Sequence, residues 1–171
     1  LGLLTMGGSA TFAFAGVIAR DEIGMGAVAV SLVFAGNAVA QIPAARWRGG
    51  RPLAGAWFVA TAVCAATVAI TRSSGVFSVA LVVWGFFFWA GVPGVFSLLA
   101  ARSRHPAERA GDAQAVMAIG RVAGPLLAGV LIGAGSFTTL GVASGLLMGG
   151  AGAIALVVEL RRPSPASVAE E

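Results

Sequence analysis

The sequence predicts an all-α integral membrane protein with six transmembrane helices, and three observations lead there. Six apolar stretches, each about as long as a bilayer core is thick, fill residues 1–162 of the 171. Only 11% of residues are charged and 58% are hydrophobic, with a mean hydropathy of +0.92, whereas a soluble domain carries about 25% charged residues. The arginines cluster in every second gap between the apolar stretches.

The six spans are read as residues 1–19, 24–45, 53–71, 76–101, 113–134 and 137–160. They are apolar all round, without the strict alternation over about ten residues that barrel strands show. Backbone amides in hydrocarbon must bond within their own segment, so each span is expected to be a helix. The long fourth and sixth stretches would tilt or protrude. The tail at 163–171, built of Pro, Ser, Ala, Val and Glu, reads as disordered.

All 11 basic residues are Arg. Arg46, Arg48 and Arg51 lie in the second gap, Arg102, Arg104 and Arg109 in the fourth, and Arg161 and Arg162 follow the sixth span. Arg20 and Arg72 lie in the first and third gaps. The positive-inside rule makes the richer side cytoplasmic, with both ends of the segment there. A net charge of +4 therefore points to lipid headgroups and not to nucleic acid. The chain opens on Leu1 without a basic region ahead of the first span. A cleavable signal peptide is not expected, and an upstream part is.

Several in-span positions are candidates for function. Arg121 lies about 12 Å along span five, measured from Ala113 at 1.5 Å per residue. A charge in a membrane span marks a functional site by default. Gln114, Pro125 and Ala128 share its helical face. That face lines a polar cavity, or Arg121 snorkels to the surface and bonds carbonyls of a neighbouring helix. In span two Asn37 and Gln41 are four apart, so they line a pathway or join helices by hydrogen bonds. Span four carries Trp84-Gly85-Phe86-Phe87-Phe88-Trp89, then Gly91, Pro93 and Gly94. Trp84, Phe87, Phe88 and Gly91 are read as one face, either an apolar substrate wall or lipid-facing bulk, and Pro93 as a kink. Gly120 and Gly124, Gly129 and Gly133, and Gly141, Gly145 and Gly149 recur at four-residue spacing, the pattern of closely packed membrane helices.

Other chemistry is missing from the sequence. Its one histidine, His105, lies in a loop, and its one cysteine, Cys64, lies in mid-span, so no metal centre is expected. Ser144-Gly145 has no intramembrane histidine to activate it as a nucleophile. No phosphate-binding loop occurs. The chain is not expected to be an enzyme or to need a cofactor. The carboxylates sit at loop edges, with Glu159 at the end of span six, so no complete proton relay can be drawn.

Three stretches resemble the C-terminal half of a major facilitator superfamily (MFS) transporter, most like bacterial 12-helix drug or sugar efflux members. Ala45-Arg46-Trp47-Arg48-Gly49-Gly50-Arg51-Pro52 resembles a worn copy of the family's cytoplasmic loop motif, with Arg46 where the motif has Asp. Glu108-Arg109-Ala110-Gly111-Asp112-Ala113-Gln114-Ala115 and Gly120-Arg121-Val122-Ala123-Gly124-Pro125-Leu126-Leu127-Ala128-Gly129 resemble the entry and body of its eleventh helix. The resemblance covers about residues 1–162 and implies one half of the MFS fold, with inverted three-helix repeats. It implies alternating-access, proton-coupled efflux of a small molecule across a bacterial inner membrane, with a six-helix N-terminal half as partner. Arg121, Gln114, Asn37, Trp84 and Phe88 would then face the substrate pathway, and Arg46, Arg48, Gly49, Gly50 and Arg51 would form the loop motif. Two other classes fit the composition: a six-helix protein that dimerises as a carrier or pore, and a non-transporting membrane scaffold.

Overall fold

The computed structural model describes residues 1–46, 53–101 and 103–161. All regular structure among them is helical: α1 (Gly2–Val17), α2 (Ala27–Arg46), α3 (Ala54–Ile70), α4 (Ser74–Ala101), α5 (Pro106–Ala134) and α6 (Phe137–Leu160). Five of these, with α1 extended to Glu22, are long and apolar enough to cross a membrane; α3 is apolar but has 17 residues. Trp47, Arg48, Gly49, Gly50, Arg51 and Pro52 of the loop motif, and the tail from residue 162 on, lie outside the described residues.

Helix limits follow local chemistry. α1 passes into a π-helical turn, Ile18–Glu22, a feature that hydropathy does not signal. It closes at Gly24, whose φ of 76° suits a residue without Cβ, and Met25 N–H donates to Ala19 O at 2.8 Å. α5 begins at Pro106 and not at 113, because proline is well placed in a first helical turn. The two charged turns before the apolar run are thus helical, and Arg109 and Asp112 pair across one of them at 3.4 Å. α6 is capped by Ser136, which accepts from Thr139 N–H at 3.3 Å. α4 continues through Pro93, and α2 and α5 continue through Pro43 and Pro125.

Apart from α3 against α4, sequence neighbours are not the main packing partners. α3 packs most extensively against α6, α1 against α5, and α2 against α4; α5 and α6 touch little. The glycine repeats of α5 and α6 therefore serve different partners. Gly120 and Gly124 lie against Thr5, Met6 and Ser9 of α1, so closely that a Cβ on either would run into that helix. Gly141, Gly145 and Gly149 face Ala62, Ala66 and Ala69 of α3. Gly129 and Gly133 correct the packing expectation: a Cβ on either would have no neighbour within 4 Å, because α1 lies along the other face of α5. Another close crossing joins Gly55 to the backbone of Gly152 and Leu156, a pair that regular spacing within one helix cannot reveal.

Two contacts set the ends of the bundle. Arg72, after α3, pairs with Glu22, after α1, at 3.0 Å, so the first and third gaps share an end. At the opposite end Glu159 of α6 binds the start of α3. Its Oε1 accepts Ala54 N–H at 2.9 Å and its Oε2 accepts Gly55 N–H at 3.0 Å. Leu53, the residue before α3, has no side-chain acceptor for these orphan donors. α3 and α6 are consequently antiparallel, while α1 and α5 run parallel, Gly2 meeting Val116 and Ser9 meeting Gly124. Exchanging α1 with α4, α2 with α5 and α3 with α6 carries the principal pairings onto one another: α1/α5 onto α4/α2, and α1/α6 onto α4/α3.

Candidate functional site

The pairing pattern leaves one face of the bundle open between α1 and α4, with α2 and α5 at its flanks. A groove of about 280 Å³ runs there. α1 contributes Thr5, Gly8, Ser9 and Phe12, and α4 contributes Trp84, Gly85, Phe88 and Trp89. Asn37 and Gln41 of α2 and Arg121 of α5 close the sides. Most lie near the middle of their helices, while Thr5 lies near the start of α1 and Gln41 near the end of α2. Arg121, for example, is about 22 Å from the first residue of α5 at 1.5 Å per residue.

Polar groups on α2 are held by a short chain of bonds. Asn37 is buried at 5% exposure, and its Nδ2 donates to Leu81 O of α4 at 2.6 Å. Its Oδ1 accepts from Gln41 Nε2 at 3.2 Å. Gly85 allows this approach, since a Cβ there would strike Asn37. Asn37 thus bonds α2 to α4, while its neighbour Gln41 edges the groove. On the other flank Ser9 Oγ lies 3.2 Å from Gly120 O and 3.3 Å from Met6 O, and Thr5 Oγ donates to Gly2 O at 3.1 Å. The hydroxyl protons of Thr5 and Ser9 are therefore taken up by backbone carbonyls.

Aromatic rings form the apolar wall. Phe12 stands edge-on to Trp84, ring centroids 5.8 Å apart, and to Phe34 at 5.2 Å. Edge-to-face contacts of this kind fix ring orientation. Phe88 and Trp89 continue the wall, 5.9 Å apart. The run from Trp84 to Trp89 is thereby divided: Phe86 and Phe87 turn to Trp57 of α3, at 5.9 and 5.5 Å. Gly91 also faces α3, against Phe58. The single face proposed for Trp84, Phe87, Phe88 and Gly91 is thus split between groove and α3, because α4 is embraced on two sides.

Arg121, Asn37, Trp84 and Phe88 meet in the groove; Gln114 does not. Gln114 is exposed on α5, two turns nearer the Arg-rich end, and Ala128 from the same stripe is buried with Ala10 and Leu140. Arg121 is exposed, and among the described residues it has no ion-pair partner. The sequence reading missed Thr5, Gly8, Ser9 and Phe12. Their spacing of three and four residues on α1 is a helical stripe, hidden by the small size and mild polarity of its members. Among the described residues no group of three His, Cys, Asp or Glu could hold a metal ion.

No protein-family model, no curated protein and no solved structure matches the chain.

Proposed function

We propose that this bundle is one six-helix half of a secondary transporter of the major facilitator type, and that the groove is its share of the substrate pathway. One observation carries the reading. An arginine at mid-span stands beside Asn37, Gln41 and the α1 hydroxyls on an open face. A guanidinium is costly in hydrocarbon, by several kcal/mol on insertion scales. A face of this kind belongs against water or a second helical unit, as it would in a cavity between two halves. The exchange symmetry of the helix pairings adds support, because inverted three-helix repeats produce that pattern.

In this reading the Arg-rich end, with Arg46, Arg104 and Arg161, is cytoplasmic. The two halves rock about the groove, exposing it alternately to each side of a bacterial inner membrane. The close-packed α3/α6 pair lies behind the groove and moves as a unit. Efflux of a small molecule in exchange for protons is the activity that the resemblance implies; the coupling carboxylates would come from the other half.

The test is flux. The reading frame ahead of Leu1 is followed upstream, and the whole product is reconstituted in vesicles with an imposed pH gradient. Six further apolar spans and protonophore-sensitive transport are expected. A start codon directly upstream, together with flux by this chain alone, would replace the half-transporter with a dimerising carrier. Absence of flux would leave a scaffold.

A further inference from the structure

The groove's hydrogen-bonding capacity is unevenly divided. Asn37 is committed at both ends of its amide, donating to Leu81 O and accepting from Gln41. Thr5 and Ser9 donate to backbone carbonyls and offer oxygen lone pairs only. Gln41 uses one of its donors on Asn37. Arg121 is different. Among the described residues it is the one ionisable side chain lining the groove, and a guanidinium carries five N–H donors in a planar fork. No carboxylate faces it there among the described residues. Glu159, the acidic residue embedded in the helices, is spent on Ala54 and Gly55. Of the remaining described acids, Asp21, Glu22 and Glu108 sit at helix ends, and Asp112, in the second turn of α5, pairs with Arg109.

We infer that the groove takes an amphipathic anion: Arg121 holds its carboxylate or sulfonate, and the Phe12, Trp84, Phe88 and Trp89 wall takes its apolar body. This assignment rests on the substrate-pathway reading above and adds the class of substrate. Two physical features favour it. An uncompensated cation between apolar walls creates a positive potential focused into the groove, which attracts anions and repels cations. A guanidinium and a carboxylate form paired, charge-assisted bonds, which are shorter and stronger than bonds between neutral groups. A volume of about 280 Å³ is at the small end for organic ligands, so a body of one or two rings suits this half of the site.

The test uses three nitroarenes of one shape and different charge: 4-nitrobenzoate, 4-nitrobenzyl alcohol and 4-nitrobenzylammonium. Each quenches tryptophan on contact. The protein is placed in phosphatidylcholine nanodiscs, which carry no net surface charge, and the saturable part of the quenching is followed. Half-saturation by 4-nitrobenzoate is expected at a concentration at least tenfold below that of the other two. Arg121→Gln should remove that preference, bringing half-saturation by 4-nitrobenzoate to that of the alcohol, and Arg121→Lys should keep most of it. Equal half-saturation by the three probes would overturn the inference, as would a preference for the anion that persists in Arg121→Gln. Saturable binding of the alcohol that is lost in Phe88→Ala, which leaves the tryptophans in place, would keep the groove as a binding wall even when the anion assignment fails. No saturable quenching by any probe would remove both.

Discussion

Replacing Glu159 with alanine tests the least expected interaction in the bundle. The carboxylate accepts two backbone N–H groups, at 2.9 and 3.0 Å, from the first turn of α3. Its charge also faces the positive end of that helix. Hydrogen bonds to a charged group contribute about 1.5–3 kcal/mol each. Their full loss would be near the upper end of that sum, but water can reach donors at the end of a bundle. About 3 kcal/mol is therefore expected for Glu159→Ala. Glu159→Gln keeps one acceptor oxygen and loses the charge, so it should cost roughly half as much. Unfolding would be followed by tryptophan fluorescence in mixed micelles of dodecylmaltoside and increasing sodium dodecyl sulfate. A second substitution separates capping from general damage. Aspartate at position 53 can accept from the same turn, so Leu53→Asp should recover about 1 kcal/mol in the Glu159→Ala background. The capping account fails if Glu159→Ala unfolds within about 0.5 kcal/mol of the parent, an effect usual for surface changes. It fails equally if Leu53→Asp restores nothing.

Two further expectations concern packing and topology. Gly55→Ala would press a methyl into the backbone of Gly152 and Leu156. In the same titration it should cost about 1–3 kcal/mol, as overpacking does. Gly129→Ala meets open space and should be neutral or stabilising by up to about 1 kcal/mol through helix propensity; the reverse order of these two variants would refute the packing assignment. For topology, single cysteines are placed at Ser73 and Ser103 in a Cys64→Ala background. An impermeant maleimide should label the first in intact spheroplasts and the second only after permeabilisation. Labelling of both from one side would contradict the layout, and an inverted pattern would contradict the orientation.

The helical layout was legible before any coordinates because it follows from one-dimensional physics. A bilayer sets the length of an apolar run, and the absence of water forces that run to be helical. Both statements need only composition along the chain. The extra turns of α5 from Pro106 were written in the sequence too, as a proline at a helix start; attention to hydropathy alone hid them. Arg121 and Asn37 stood out because polar groups in a span are rare.

Partner choice was not legible. Small residues mark a face fit for close approach, yet they do not say which helix approaches. Gly120 and Gly124 meet α1, while Gly129, one turn and a residue further on, meets nothing within 4 Å. The same holds for Glu159, which looks like a residue at the margin of a span until α3 presents its orphan amides. The groove also depends on pairing. Thr5 and Ser9 are unremarkable in α1, and Trp84 and Phe88 are bulky members of an aromatic run. They become one surface with Arg121 only because α1 lies beside α5 and α4 beside α2. Hydropathy and periodicity report each segment's relation to its solvent; contacts between segments far apart in the chain are a property of the packed bundle alone.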